Sequence, residues 1–178
     1  SNTYASLQQL KALYEEALLV EDVVGIVIGT RPDCVNDELL DYLVELQKHT
    51  FVLVEYGIES VNDDTLKRIN RDFACCQQAI MKTHACGLLC GGHIILGLPG
   101  EDAAESIRQA KIISSLPLDI LKIHQMQIIR GTQLAAEFRA TPFHVYSVEE
   151  YIRLVADYIS YLRPTLVLER FASQSPAN

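Results

Sequence analysis

Two kinds of hydrophobic pattern alternate along this chain. Stretches with apolar residues three to four positions apart are followed by short, continuous apolar runs. The first pattern predicts helices over Tyr4–Val20, Asn36–Lys48, Asp63–Ile69, Phe73–Ala85, Asp102–Ser114, Thr132–Arg139 and Ser147–Tyr161. The second predicts strands over Val23–Ile28, Phe51–Tyr56, Leu89–Leu96 and Ile120–Ile129, with a last short strand over Leu166–Arg170.

The order of these elements indicates an α/β fold. Strands that are apolar at successive positions are typical of sheets covered on both faces, and helices between them indicate right-handed βαβ crossovers. A parallel sheet or a TIM-like barrel is expected, and four such units make about half of a (β/α)₈ barrel. Because the chain has no linker, low-complexity tract or fixed-period repeat, residues 1–178 are interpreted as a single domain.

Composition and charge narrow the function classes. The formal net charge of −8 argues against a general nucleic-acid surface. No apolar run approaches the roughly 20 residues of a membrane span, and the N-terminus lacks a signal-peptide pattern. A cytoplasmic protein without membrane contact is expected. Five cysteines, two of them adjacent, do not resemble a disulfide framework, so reduced thiols are expected.

A glycine-rich turn follows the third predicted strand, in the segment 92–101. Gly97 and Gly100 allow a positive φ and close backbone approach, while Pro99 stiffens the turn between them. In parallel α/β folds the carboxyl ends of the strands form the ligand side of the sheet. Gly97 and Gly100 are therefore candidate ligand contacts.

Polar side chains interrupt the apolar strands at a few positions. Glu55 lies within an apolar strand, where a carboxylate needs a partner or a wet cavity. Lys122 and His124 alternate with apolar residues and so share one strand face, which lines a substrate cavity if it faces the barrel interior. For His124, a proton carrier and a hydrogen-bonded structural histidine both stay open.

The turn after the first predicted strand also carries polar groups. Thr30, Arg31 and Asp33 end that strand, where a hydroxyl and charged groups can face the cavity. The alternative is that Pro32 and Asp33 only start a turn and cap the next helix.

The spacing Cys86-x₃-Cys90-x₂-His93 resembles a metal-binding motif. However, Cys86 ends a helix, and Cys90 and His93 are three apart on a strand, so their side chains point to opposite faces. Free cysteines are the preferred interpretation here. Cys34 and the pair Cys75-Cys76 are interpreted in the same way, as small hydrophobic side chains, and no metal is assigned to this chain.

Four motifs in register resemble those of radical SAM proteins, in particular a bacterial group of uncharacterised Fe-S oxidoreductases. They are Gly29-Thr30-Arg31-Pro32-Asp33-Cys34, Glu55-Tyr56-Gly57-Ile58-Glu59-Ser60, Lys67-Arg68-Ile69-Asn70-Arg71 and the segment from His93 to Glu101. The resemblance runs from Tyr4 to Arg170. It implies a partial (β/α)₆ barrel that holds S-adenosylmethionine (SAM) beside a 4Fe-4S cluster and cleaves SAM reductively to a 5′-deoxyadenosyl radical.

The resemblance also implies that this chain supplies strands three to six of that barrel. The CxxxCxxC loop of the family and its Gly-Gly-Glu turn do not occur in the sequence, and both are expected upstream of Ser1. The chain alone is therefore expected to be inactive, to bind neither cofactor and to expose an apolar barrel edge through which it self-associates.

The matching motifs imply roles for individual residues. Glu59 would accept hydrogen bonds from the ribose hydroxyls or the amino group of SAM, and Arg71 would bind the methionine carboxylate. His93 would be a polar inward residue of the fifth family strand, and Ile95 would pack on adenine. Further candidate cofactor-binding residues are Thr30, Arg31, Glu55 and His93. The structural alternatives are a solvated Glu59, a surface Arg71 and a core Ile95.

Two functions from different classes remain. The first is an oxidoreductase-type radical SAM enzyme, which requires three cluster cysteines upstream. The second is a non-catalytic half-barrel that binds a nucleotide-like ligand or a protein partner. The substrate is not set by the fold, so a modified nucleic acid base, a tetrapyrrole and a small metabolite all stay open.

Overall fold

The computed structural model describes residues 2–173, which form one parallel sheet with helices packed against it. The strands are β1 (Gly25–Thr30), β2 (Phe51–Glu59), β3 (Leu89–Leu96), β4 (Ile120–Gln125) and β5 (Val167–Arg170). The helices are α1 (Leu7–Leu18), α2 (Asp37–Leu46), α3 (Asp63–Arg68), α4 (Phe73–Ala85), α5 (Ala103–Ser115), α6 (Gln133–Ala140) and α7 (Val148–Ser160), and a 3₁₀ turn spans Pro32–Cys34.

The sheet has the strand order β1-β2-β3-β4-β5, and every neighbouring pair is parallel. Helices separate consecutive strands, as parallel connections require. The predicted α/β class and partial barrel are confirmed. The short fifth strand extends the sheet beyond the four strands that the resemblance numbers three to six.

The two faces of the sheet differ in chemistry. One face packs on the helices: the Tyr56 hydroxyl lies 2.7 Å from the Thr83 hydroxyl of α4, and Val54, Cys90 and Ile94 on the same side are fully buried. Because side chains alternate along a strand, Glu55, His93 and Lys122 lie on the opposite face, which we call the inner face. The apolar core therefore lies between the sheet and the helices.

Strand β4 ends at Gln125, four residues before the predicted end at Ile129. Its neighbour β3 ends at Leu96, whose carbonyl accepts a hydrogen bond from the Met126 amide at 2.9 Å. Gly97 then turns the chain with φ 84°. Within residues 2–173, the chain beyond Met126 thus has no neighbouring strand to pair with, although Ile128 and Ile129 are apolar enough to continue one.

Other helix and strand ends differ from the predicted ones for local reasons. The predicted helix Tyr4–Val20 begins at Leu7, because Ser6 and Gln9 form a capping box. Strand β2 continues from Tyr56 to Glu59 through a shift in register against β3 between Gly57 and Glu59. None of the described helices combines the length and the apolar content needed to cross a bilayer.

Candidate functional site

A group of charged side chains crosses the inner face. Glu55 on β2 accepts hydrogen bonds at Oε2 from Lys122 Nζ on β4, at 2.8 Å, and lies 3.1 Å from His93 Nε2 on β3. Lys122 Nζ is also 3.1 Å from Glu169 Oε1 on β5. We call Glu55, His93, Lys122, His124 and Glu169 the inner-face cluster. It links four adjacent strands through side chains.

The register of the strands explains how the cluster assembles. Glu55 is paired with Gly91 on β3, and a Cβ at Gly91 would lie only 2.9 Å from Glu55 Cγ. The missing side chain leaves space for Glu55 to lie over β3 and meet Lys122, which is two strands away. Lys122 itself is in register with His93.

Glu55 is an ionised carboxylate although its side chain is only 4% exposed. Burial raises the pKa of this carboxyl, but the hydrogen bonds from His93 and Lys122 outweigh burial and leave the pKa below its ordinary value. For Lys122, burial lowers the pKa, while the bonds to Glu55 and Glu169 bring it above the ordinary value. Among residues 2–173, no hydrogen-bond partner meets the buried Glu55 Oε1.

His124 lies beside His93, with ring centroids 5.5 Å apart and the rings tilted by 40°. Burial lowers the pKa of His124, and the neighbouring His93, Arg170 and Lys122 lower it further. Its Nε2 is buried and has no hydrogen-bond partner in the part of the chain described. Ile95 is half-buried on the same face and in register with His124.

A second polar group lies where β2 ends. Glu59 has a left-handed backbone with φ 66°, and its Oε1 is 3.6 Å from Arg71 Nη2. Arg71 also donates from Nη1 to the Gly57 carbonyl at 3.1 Å. Burial raises the pKa of the Glu59 carboxyl, and Arg71 offsets this only in part. Gly57, Arg71 and Arg31 help to line a pocket of about 220 Å³ at the carboxyl ends of β1 and β2.

The glycine turn after β3 is tied to this end of β2. Gly97 and Gly100 both have positive φ, at 84° and 93°. The next residue, Glu101, is buried and accepts a hydrogen bond from the Ser60 hydroxyl at 2.5 Å. The sequence interpretation gave no role to Glu101 or Ser60. Their positions next to the turn and next to Glu59 were the available signal.

The structure separates Thr30 and Arg31 from the inner-face cluster. Thr30 lies on the helix-facing side, in register with Tyr56, and its hydroxyl is 2.5 Å from the Thr3 hydroxyl. Arg31 binds Asp33 through two hydrogen bonds of 2.8 and 2.7 Å. Glu169 is the member of the cluster that the sequence interpretation missed, although a charged residue in a predicted strand was a visible signal.

The five cysteines of the chain are all free. Cys90 is buried in the helix-facing layer, where burial raises the pKa of its thiol, and its backbone amide donates to Asp119. His93 lies on the other face. Within residues 2–173, no group of three or more His, Cys, Asp or Glu side chains is arranged to hold a metal ion. The described residues therefore do not fit a 4Fe-4S cluster.

Comparisons with known proteins match one part of the chain to a family and nearly all of it to curated proteins. Residues 118–178 match the C-terminal domain family of radical SAM proteins. The chain is 34% identical over 178 residues to YtqA of Bacillus subtilis, covering 99% of this chain and 55% of YtqA. It is 33% identical over 178 residues to YhcC of Escherichia coli K12, covering 98% of this chain and 58% of YhcC. The chain thus spans about half the length of these curated relatives.

Solved structures agree on the fold. Elp3 of the archaeon Methanocaldococcus infernus superposes with a TM-score of 0.74 at 24% identity, over 86% of this chain and 36% of that one. Coproporphyrinogen III oxidase (HemN) of Escherichia coli, a radical SAM enzyme, superposes with a TM-score of 0.68 at 19% identity, over 89% of this chain and 37% of that one. These likenesses show that the chain has the fold of these proteins, and the match of residues 118–178 to the C-terminal domain family of radical SAM proteins supports its membership of the radical SAM superfamily.

Proposed function

We propose that this chain is the SAM-binding part of an oxidoreductase-type radical SAM enzyme that acts on a small or macromolecular substrate still to be identified. The observation that carries the proposal is the Glu59–Arg71 pair. It lies at the carboxyl end of β2, where burial disfavours the carboxylate and Arg71 compensates only in part. A ligand with amino or hydroxyl groups would supply the missing hydrogen bonds.

The surrounding residues suit SAM. Glu59 would accept from its amino group or ribose hydroxyls, and Arg71 would bind its carboxylate as a charged donor. Ile95 offers an apolar surface for adenine, and the Gly97–Gly100 turn offers accessible backbone. In this superfamily, SAM and a reduced 4Fe-4S cluster together supply the start of radical reactions, by reductive cleavage of SAM.

The cluster would be held by residues outside this sequence. The 178 residues contain no CxxxCxxC segment, and within residues 2–173 no group of three or more His, Cys, Asp or Glu side chains is arranged to hold a metal ion. We therefore place the cluster ligands in a part of the whole protein that the relatives' greater length accommodates. This chain on its own is then expected to bind no cluster and to produce no radical.

The test uses the protein at the length of its relatives, purified without oxygen, beside the 178-residue chain. Iron and sulfide content, the EPR spectrum after reduction and 5′-deoxyadenosine formation with SAM are measured in both. A cluster and SAM cleavage in the long form alone supports the proposal. A cluster in the short form would indicate that Cys86, Cys90 and His93 are cluster ligands after all. A cluster in neither form would favour a binding module.

The SAM site itself is tested by Glu59→Gln in the long form. Loss of one hydrogen bond to a charged group costs about 2 kcal/mol, which corresponds to a roughly thirtyfold weaker Kd for SAM. Glu45→Gln, at an exposed carboxylate paired with Lys48, is the matched control and should leave the Kd unchanged. Equal affinities of the two variants would contradict the assignment of Glu59.

A further inference from the structure

The Glu55–His93 pair has the arrangement of a proton-transfer site. We propose that His93 exchanges a proton with the substrate of the enzyme. Glu55 and Lys122 are positioning residues, which hold the His93 ring in place and balance its charge when it is protonated. The presence of a substrate on the inner face rests on the proposed function. The arrangement of the pair rests only on contacts among the described residues.

One nitrogen of the His93 ring is engaged and the other is available. Nε2 lies 3.1 Å from Glu55 Oε2, while Nδ1 has no hydrogen bond to any residue in the range 2–173. The side chain is 28% exposed, so a ligand on the inner face has access to it. A carboxylate next to Nε2 favours the tautomer with the proton on that nitrogen. The Nδ1 lone pair is then free to accept a proton.

Glu55 is suited to balance the charge that His93 gains. Its carboxylate is buried, and its hydrogen bonds to His93 and Lys122 leave its pKa below the ordinary value, so it stays ionised at neutral pH. Lys122 is in turn fixed between Glu55 and Glu169. A protonated His93 would therefore sit beside a negative charge that does not move, as in other carboxylate–histidine pairs.

The charges around His93 indicate the class of substrate. Two carboxylates, Glu55 and Glu169, are accompanied by two cations, Lys122 and Arg170, of which Arg170 is in register with Lys122. His124, the other titratable neighbour, is held towards its neutral form. A balanced site of this kind suits a neutral polar group better than a phosphate. The substrate would present a hydroxyl or an N–H to Nδ1.

The proton step is balanced without an oxidant or reductant. The O–H or N–H bond of the substrate breaks and its electron pair stays on oxygen or nitrogen. A bond forms between the proton and Nδ1, which gives an imidazolium next to the Glu55 carboxylate. Transfer of the proton to product or to water restores neutral His93.

The test uses diethyl pyrocarbonate, which acylates unprotonated imidazole nitrogens, on the protein at the length of its relatives. Modified peptides are quantified by mass spectrometry, with the exposed His49 and His84 as internal references. We expect His93 to react within about threefold of His84 although it is less exposed, because the carboxylate at Nε2 makes Nδ1 more nucleophilic. A His93 that reacts a hundredfold more slowly than His84 would overturn the proposal.

Variants of Glu55 and Lys122 distinguish a role in positioning His93 from a role in packing alone. Glu55→Gln keeps the shape of the side chain but removes its charge, and it should slow His93 acylation about tenfold without changing His84. Lys122→Arg should retain the wild-type rate where Lys122→Met does not. Nitrogen-15 NMR should find the proton on Nε2 of His93 in the wild type. An unchanged acylation rate in Glu55→Gln, or a proton on Nδ1, would show that the pair is only structural.

Addition of SAM separates a substrate role from a cofactor role. If His93 serves the substrate, saturating SAM leaves its acylation rate unchanged. Protection by SAM would place His93 in the cofactor site and overturn the proposal. Absence of SAM cleavage in the same preparation would count against the proposed function, whereas the acylation rates report on the Glu55–His93 pair independently.

Discussion

Two lysines of this chain make ion pairs of equal length in different surroundings. Lys122 Nζ lies 2.8 Å from Glu55, and Lys82 Nζ lies 2.8 Å from Asp37. The first pair is 12% and 4% exposed, the second 61% and 77%. We expect Lys122→Met to lower the free energy of unfolding by about 2 kcal/mol, because Glu55 stays buried with His93 as its remaining partner. Lys82→Met should cause no detectable loss.

Urea denaturation of both variants at neutral pH measures this contrast. Similar losses in the two variants would mean that the inner-face cluster is as solvated as the surface.

The free energy of unfolding also depends on pH through the ionisation of Glu55. Folding lowers the pKa of Glu55, so its carboxylate stabilises the folded state above the ordinary pKa of about 4.3. This stabilisation is lost as the pH falls through the lowered pKa of the folded state.

The opposite pH dependence is expected at Glu59. Its folded-state pKa is raised by burial, so the carboxylate destabilises the fold as the pH rises above about 4.3. Glu59→Gln should therefore raise the free energy of unfolding at pH 7 and leave it unchanged near pH 3, where the carboxyl is protonated in both states. Thermal unfolding across this pH range measures the difference. A variant that is less stable than the wild type at pH 7 would show that the Arg71 contact outweighs burial.

At the residue scale, the sequence predicted individual members of the site but not their contacts. Lys122 and His124 were identified from strand alternation, and Glu55 from its charge within an apolar strand; both signals are local. Their association depends on the register between strands, and on the absence of a side chain at Gly91. Thr30 was expected near the cavity because it ends a strand. The end of β1 at Thr30, rather than Ile28, and the pairing with Thr3 depend on tertiary contacts that no local pattern contains.

At the element scale, the glycine turn after β3 offers a direct comparison. Gly97 and Gly100 share a positive φ, but a Cβ at Gly97 would lie 3.1 Å from Tyr146 Cδ2, while a Cβ at Gly100 would enter open space. We expect Gly100→Ala to lower the free energy of unfolding by about 1 kcal/mol through backbone strain alone. Gly97→Ala should cost roughly 2 kcal/mol, because Tyr146 must also move.

Chemical denaturation of the two alanine variants tests this order, and the reverse order would contradict it.

The helices and strands themselves were predictable, because each has its own hydrophobic period and most have caps such as Ser6 or Asp102. The ends of β2 and β4 were not. They are decided by where the neighbouring strand stops or shifts, and this is not encoded within the strand itself.

At the scale of the whole molecule, β1 is an edge strand. It pairs with β2, and no second neighbour is present among the described residues. The exposed side chain of Val27 lines a groove of about 560 Å³ between β1 and α1, and Val24, just before β1, is also exposed. We expect the 178-residue chain to self-associate through this edge, and Val27→Lys to weaken association about tenfold, because a charge at an edge opposes strand pairing.

Sedimentation velocity over a range of concentrations measures this. Ile152→Lys, at an exposed apolar position on α7, is the matched control and should leave association unchanged. A wild-type chain that stays monomeric at every concentration would contradict the expectation.

The partial barrel was predictable from the alternation of elements, whereas the composition of the exposed edge became visible only when β1 was placed at the end of the sheet.

The contact between Glu55 and Lys122 also depends on curvature. The two residues are on strands separated by β3, and their side chains meet over Gly91. Parallel strands are about 4.8 Å apart, so a sheet that flattened would move these side chains away from each other. The 2.8 Å hydrogen bond therefore depends on the curvature of the sheet as well as on the conformations of the two side chains. A partner that flattened the sheet on completing the barrel would weaken one of the two hydrogen bonds that lower the pKa of Glu55, even if it bound far from the inner face.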